Sequence, residues 1–166
     1  MDNPLSLQKA MDRFAGHLRH ERGLSGETVR AYAGDLAQFH RFASTQIGDG
    51  NQVFVEHISP AMIRAYLARL HKRLQKTSQS RKLSALRALF RYLREQGLTR
   101  TDPTEAIPNP KTRVKLPSFL GIDEIFFFLK SLEKGCHEPS ASWRRWRNWA
   151  MFEFLYSTGL RVGELV

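Results

Sequence analysis

Cysteine occurs once, at Cys136, in a chain of 166 residues. That excludes an intrachain disulfide framework and suits the reducing cytoplasm. Extended apolar runs are also missing. The stretch Phe126-Phe127-Phe128-Leu129 is far short of the roughly 20 residues that cross a bilayer, and Met1-Asp2-Asn3-Pro4 does not open a secretory signal. A membrane-spanning protein and a secreted mini-protein are both set aside. Acidic residues are scarce in one place only: between 61 and 100, Glu95 stands alone against 11 Lys and Arg.

That local scarcity accounts for the whole charge of the protein. The formal net charge is +10, with a sequence pI near 10.3. Residues 1–60 carry 6 basic and 7 acidic side chains, and residues 101–166 carry 9 and 8. An excess confined to forty residues points to a polyanionic partner, whereas a uniform excess would serve solubility. The competing reading is a solvated basic helix face. With 42% hydrophobic and 25% charged residues the composition is globular, and the length allows one domain or two small ones.

Helical periodicity fills the first hundred residues. Leu7, Met11, Phe14 and Leu18 stripe a first helix with Asn3 as cap and Pro4 in its first turn, and Gly23 ends it. Ser25 caps a second helix, carrying Val29, Tyr32, Leu36, Phe39 and Phe42 to about Ala43. Residues 44–57 read as a loop. Ser59-Pro60 restarts a helix with Ile63, Tyr66, Leu67, Leu70 and Leu74 on one face. A fourth runs from about Ser78 to Gln96, with Leu83, Leu86, Leu89, Phe90 and Leu93 inside. The expectation is an all-α four-helix bundle over 1–100.

Four of the seven prolines fall between Asp102 and Pro117, so 101–117 reads as a stiff linker. Ile122–Leu132 and Trp143–Tyr156 are helical again, and a further helix starts at Arg161. Trp143 to Trp149 interleaves tryptophan with arginine, which reads as core packing with snorkelling cations. His17 and His20 have helical spacing but no third ligand nearby, so no metal site is expected; Cys136 reads as a surface thiol.

At about 100° per residue, Ser80, Ser84, Arg87, Arg91 and Arg94 fall within roughly 80° of arc on the fourth helix. Arg69, Lys72, Arg73 and Lys76 lie opposite the third helix's apolar stripe. Arginine forks bind phosphate or guanine edges, serine hydroxyls donate to phosphate, and a helix fits the major groove. Tyr66, Phe90 and Tyr92 are too few and too core-like for a single-strand stacking platform, so duplex DNA is the expected partner. If six to ten of these cations meet phosphates, affinity falls about 10³ to 10⁵-fold between 50 and 200 mM salt.

The motifs Glu21-Arg22-Gly23-Leu24-Ser25, Thr28, Ala31-Tyr32 and Asp35-Leu36 resemble the opening of the tyrosine site-specific recombinases of the Xer/phage-integrase type. Ser80-Arg81-Lys82-Leu83-Ser84-Ala85-Leu86-Arg87, then Phe90-Arg91-Tyr92-Leu93, is similar to the last long helix of their core-binding domain. Asp102-Pro103 and Leu116-Pro117 resemble the link between that domain and the catalytic one. Leu155-Tyr156-Ser157-Thr158-Gly159-Leu160-Arg161-Val162-Gly163-Glu164-Leu165 is similar to the family's first arginine motif.

The resemblance implies a SAM-like core-binding domain at 1–100, a linker at 101–117 and the first part of a catalytic domain at 118–166. It implies a clamp around a recombination half-site, shared with other recombinase protomers, and strand cleavage through a 3′-phosphotyrosyl intermediate. No metal or other cofactor is called for, and no membrane. DNA contacts are expected from Thr28, Tyr32, Lys72, Lys76, Ser80, Arg81, Lys82, Ser84, Arg87 and Arg91. Arg161 would stabilise charge on the reacting phosphate, with Glu164 as its support.

The family's lysine, His-x-x-Arg pair and tyrosine nucleophile come after the arginine motif. All four tyrosines here precede Arg161, and no histidine has arginine three positions later. The 166 residues are therefore expected to bind DNA without cleaving it, and 118–166 to leave apolar side chains such as Phe126 and Trp146 with little to pack on. The alternatives are a non-enzymatic DNA-binding protein that retains the core-binding fold, and a basic helical protein-interaction module.

Overall fold

In the computed structural model, residues 4–48, 52–71, 73–110 and 118–165 are described. The chain divides into two compact units, Met1–Arg113 and Val114–Val166. Both are all-α among the described residues, with no strand beyond one isolated antiparallel bridge, Ser6 to Phe54.

In the first unit α1 spans Leu7–His20, α2 Gly26–Ile47, α3 Pro60–His71 and α4 Lys76–Glu95. The first helix starts later than its sequence suggests. The amide of Leu7 donates to Val53 O at 2.8 Å and that of Val55 to Leu5 O at 2.9 Å, so the chain before Leu7 is held extended. Ser6 becomes the cap, accepting from the amide of Lys9, while Asn3 lies outside the described residues. Residues 44–48 and 52–57, expected as loop, carry regular structure. Helix α2 runs on to Ile47, Val55–His57 forms a 3-10 turn, and Val53 and Val55 are buried.

Helix α4 lies at the centre and packs on α1, α2 and α3. Its Leu83, Leu86, Leu89, Phe90 and Leu93 are almost fully buried against Leu7 and Phe14 of α1, Leu36 and Phe39 of α2, and Ile63 of α3. Each such side chain contributes about 1.5–3 kcal/mol by leaving water. Leu74 does not join them, because it lies beyond the end of α3 and is exposed. Lys76, expected among the third-helix cations, opens α4 instead. At the far end of α4, Gly97 takes φ +66°, and the Leu98 amide reaches back to Leu93 O at 2.8 Å. A Cβ would be strained in that left-handed turn.

The segment after α4 does not leave the unit at residue 101. The Asp102 carboxylate accepts from the amide of Thr104 at 2.8 Å and from its hydroxyl at 2.6 Å, which fixes a tight turn. Pro103 and Thr104 are buried, and Ile107 enters the core. Proline here shapes a packed strap, so residues 103–107, expected within a 101–117 linker, belong to the first unit. Residues 111–117 lie outside the described residues.

The second unit holds α5, Ile122–Cys136, α6, Trp143–Thr158, and the single turn α7, Val162–Leu165. Phe128 meets Phe152 edge-on at 5.0 Å, and Phe126 meets Tyr156 at 6.0 Å. Only Leu129 and Cys136 are buried among its described residues. Cys136 is thus no surface thiol; its sulfur lies 3.3 Å from Leu132 O in the last turn of α5. Trp143, expected in a core, is 66% exposed and stacks under the Arg147 guanidinium at 5.1 Å. No helix among the described residues is long and apolar enough to cross a membrane.

Candidate nucleic-acid interface

Helix α4 projects one face to solvent along its whole length. Ser84, Arg91 and Arg94 are exposed on it, Ser80 and Arg87 half-buried, and Lys76 stands exposed at its first turn. Arg91 and Lys76 make no ion pair among the described residues. Arg94 is paired with Glu105 of the strap. Arg87 donates to the Ile107 carbonyl and, at 2.5 Å, to Asn109 Oδ1. Two of the expected face arginines therefore hold the strap against α4. Lys72 lies outside the described residues.

Lys82 departs from its expected role. Its ammonium is buried and sits 2.7 Å from Asp35 Oδ1 of α2. An ammonium closed off by a carboxylate has no surface to offer a phosphate. The other Asp35 oxygen accepts from Arg81 Nη1 at 2.5 Å, and the Arg81 side chain remains 56% exposed. One buried carboxylate thus serves two cations and leaves one net positive charge, carried outward by Arg81. Removing one partner of a buried pair costs far more than the intact pair contributes, so this triad fixes α2 to α4.

The same junction forms an open recess of about 240 Å³, lined by Thr28, Ala31, Tyr32, Asp35, Arg81, Ser84 and Ala85. Four of the expected contact residues, Thr28, Tyr32, Arg81 and Ser84, are brought together here. Local capping explains the placement of Thr28. Its amide donates to the Ser25 cap at 3.3 Å, and its hydroxyl lies 2.9 Å from that of Ser25. Tyr32 is held by an edge-on contact with Phe14 at 5.9 Å.

Asp35, quoted from the sequence only as part of a motif, was not expected to hold Arg81 and Lys82. Its signal was positional: it lies between Leu36, Tyr32 and Phe39 on the buried face of α2, where an acid requires a partner. Lys82 carried the matching signal, four residues before Leu86 and seven before Leu89 on the α4 core stripe. Nearby, burial and the Asp35 charge together push the Tyr66 phenol up to about 12. Its hydroxyl is buried without a hydrogen-bond partner among the described residues.

The second unit presents the other expected site. Gly159 caps α6 at φ +68°, a turn that favours glycine, and so reverses the chain before Arg161. The Arg161 amide donates to Glu164 Oε2 at 2.8 Å, and its guanidinium lies 3.3 Å from Glu164 Oε1. The Arg161 side chain is 88% exposed. His17, by contrast, is occupied structurally: it stacks on Tyr92 at 4.7 Å and its Nδ1 lies 2.8 Å from Glu21. No cluster of His, Cys, Asp or Glu among the described residues could hold a metal ion.

An all-α bundle with a cationic helix face and a separate, arginine-bearing helical unit defines the class of protein. The chain belongs to the phage integrase family, its residues 11–97 matching the N-terminal SAM-like domain of phage integrases. It is 37% identical over 159 residues to the tyrosine recombinase XerC of Pelobacter propionicus, covering 96% of this chain and 50% of that protein. It is 35% identical to a tyrosine recombinase of Pseudothermotoga lettingae, covering 96% and 51%. The chain thus spans about half the length of the curated relatives it matches. Among solved structures, a lambda integrase tetramer bound to a Holliday junction superposes with a TM-score of 0.62 at 22% identity, over 84% of this chain and 36% of that one. A lambda integrase dimer bound to a COC′ core site gives the same score at 23% identity, over 86% and 37%.

Proposed function

We propose that this chain binds duplex DNA as the core-binding part of a Xer-like tyrosine recombinase. The observation that carries the reading is the exposed face of α4, where Lys76, Arg81, Ser84 and Arg91 stand together without enough acid to neutralise them. Helix α4 lies in the major groove, arginines reach phosphates and base edges, and Thr28, Tyr32 and Ser84 approach the backbone from the α2 side. Arg87 and Ser80, half-buried, meet the backbone at the edge of the same face. The recombination site and further recombinase protomers are its partners, and the cytoplasm is its place of work.

Strand cleavage belongs to the complete recombinase in this reading. Arg161 would stabilise negative charge building on the reacting phosphate, and the contacts of Glu164 with its amide and guanidinium hold it for that task. The 166 residues alone bind without cutting, because none of their tyrosines comes after the arginine motif. Fluorescence anisotropy of the full chain against labelled mixed-sequence duplex tests the binding, with poly-glutamate as competitor. Duplex binding that poly-glutamate fails to displace supports the proposal. Preference for the acidic polypeptide would instead make the chain a protein-interaction module. A covalent adduct trapped on a nicked duplex would refute the division of labour.

A further inference from the structure

The recess between α2 and α4 combines two chemistries that a DNA strand presents in alternation. Its apolar wall is Ala31, the Tyr32 ring and Ala85, suited to a deoxyribose. Its polar rim is Thr28, Ser84 and Arg81, suited to a phosphate oxygen. Asp35 holds one end of the Arg81 fork, while Lys82 donates to the other carboxylate oxygen. Arginine has five N–H donors, and only Nη1 is engaged by Asp35, so the half-exposed guanidinium keeps donors for an incoming anion.

We infer that this recess is a seat for one sugar–phosphate unit of the duplex, with Asp35 as the positioning residue that aims Arg81 at the phosphate. The inference rests on the duplex-binding reading above and specifies where one strand is gripped. Asp35 acts through Arg81 and does not touch the DNA. Lys82 occupies the Oδ1 side of Asp35 from within the core, so Arg81 meets the carboxylate from outside through Oδ2. Thr28 and Ser84 contribute hydroxyls across the gap. A lysine in place of Arg81 would keep the charge but lose the planar fork, whose separate nitrogens can face Asp35 and a phosphate at fixed positions.

The test measures anisotropy of mixed-sequence duplex against four versions of the full chain at several salt concentrations. Arg81→Ala should weaken binding about tenfold and reduce the salt slope by about one unit. Ala31→Leu, at an exposed position, fills the recess and should weaken binding several-fold with the melting midpoint unchanged. Asp35→Asn/Lys82→Met removes the buried pair together and so leaves no lone buried charge. It should bind like Arg81→Ala, and adding Arg81→Ala to it should cost nothing more. Arg81→Lys, which leaves the buried pair intact, should recover little of the loss.

Wild-type affinity in Ala31→Leu, or in a folded Asp35→Asn/Lys82→Met, overturns the inference, as does full recovery in Arg81→Lys. If wild type binds duplex with a steep salt slope and these variants do too, only the seat is wrong. If wild type shows no salt-dependent duplex binding, the functional proposal itself fails.

Discussion

Raising ionic strength is the perturbation that most directly weighs the proposed DNA-binding face of α4, because each phosphate contact in such a complex releases counterions from the duplex. The six to ten cations suggested by the sequence shrink once their surroundings are known. Lys82 is sealed on Asp35, and Arg94 is neutralised by Glu105. Lys76, Arg81, Arg87 and Arg91 remain as the α4 cations able to meet phosphate. At about −0.9 per contact, four contacts give a log–log salt slope near −3.6, or about a 150-fold loss of affinity between 50 and 200 mM salt. Anisotropy titrations of the full chain on one duplex across that range read the slope directly. Arg91→Ala should flatten it by about one unit, while Arg94→Ala, whose charge is already compensated, should leave it unchanged. A slope shallower than about −2, or equal flattening by both variants, would refute this division of the arginines.

Three further outcomes are expected from the packing. Arg87→Ala removes the donor to Ile107 and Asn109, so limited proteolysis should cut near Asn109 faster, with a stability loss of about 1 kcal/mol for these half-exposed bonds. Tyr66→Phe should flatten the alkaline limb of the stability profile. The phenol titrates near 10 when unfolded and near 12 when folded, so the unfolded chain loses its proton first. The contribution of this phenol is therefore constant below pH 10 and falls by roughly 2 kcal/mol as pH rises to 12, a loss absent from the variant in urea melts. Leu89→Ala, at a fully buried position, should cost about 2–5 kcal/mol in the same melts.

The helices of the first unit were legible in the sequence because their apolar residues repeat at helical spacing, and α2 and α4 moved by only a few residues. The strap was less so. Its prolines signal an extended chain, but nothing local tells that Ile107 finds a vacant place in the core or that Arg87 and Arg94 will hold it. Such contacts join residues 11 to 22 apart in sequence and depend on tertiary packing. The start of α1 was misplaced for the same reason, since the Leu7 amide is claimed by Val53 and not by a local cap.

Residue type and residue position gave opposite answers at Lys82, and position was right. Counted by type, it is one more cation in a basic stretch; placed by spacing, it lies on the stripe of Leu86 and Leu89 and faces inward. A buried ammonium needs an anion, and the acid on the buried stripe of α2 is Asp35. Two faults in the apolar pattern therefore explain one another. Their pairing also determines which neighbour becomes the surface cation: Arg81 is one residue earlier, rotated by about 100°, and shares the same carboxylate from outside. The charge that reaches solvent at this junction is thus set by the core. A substitution at Asp35 will alter the charge presented at this junction even though its side chain is only 5% exposed.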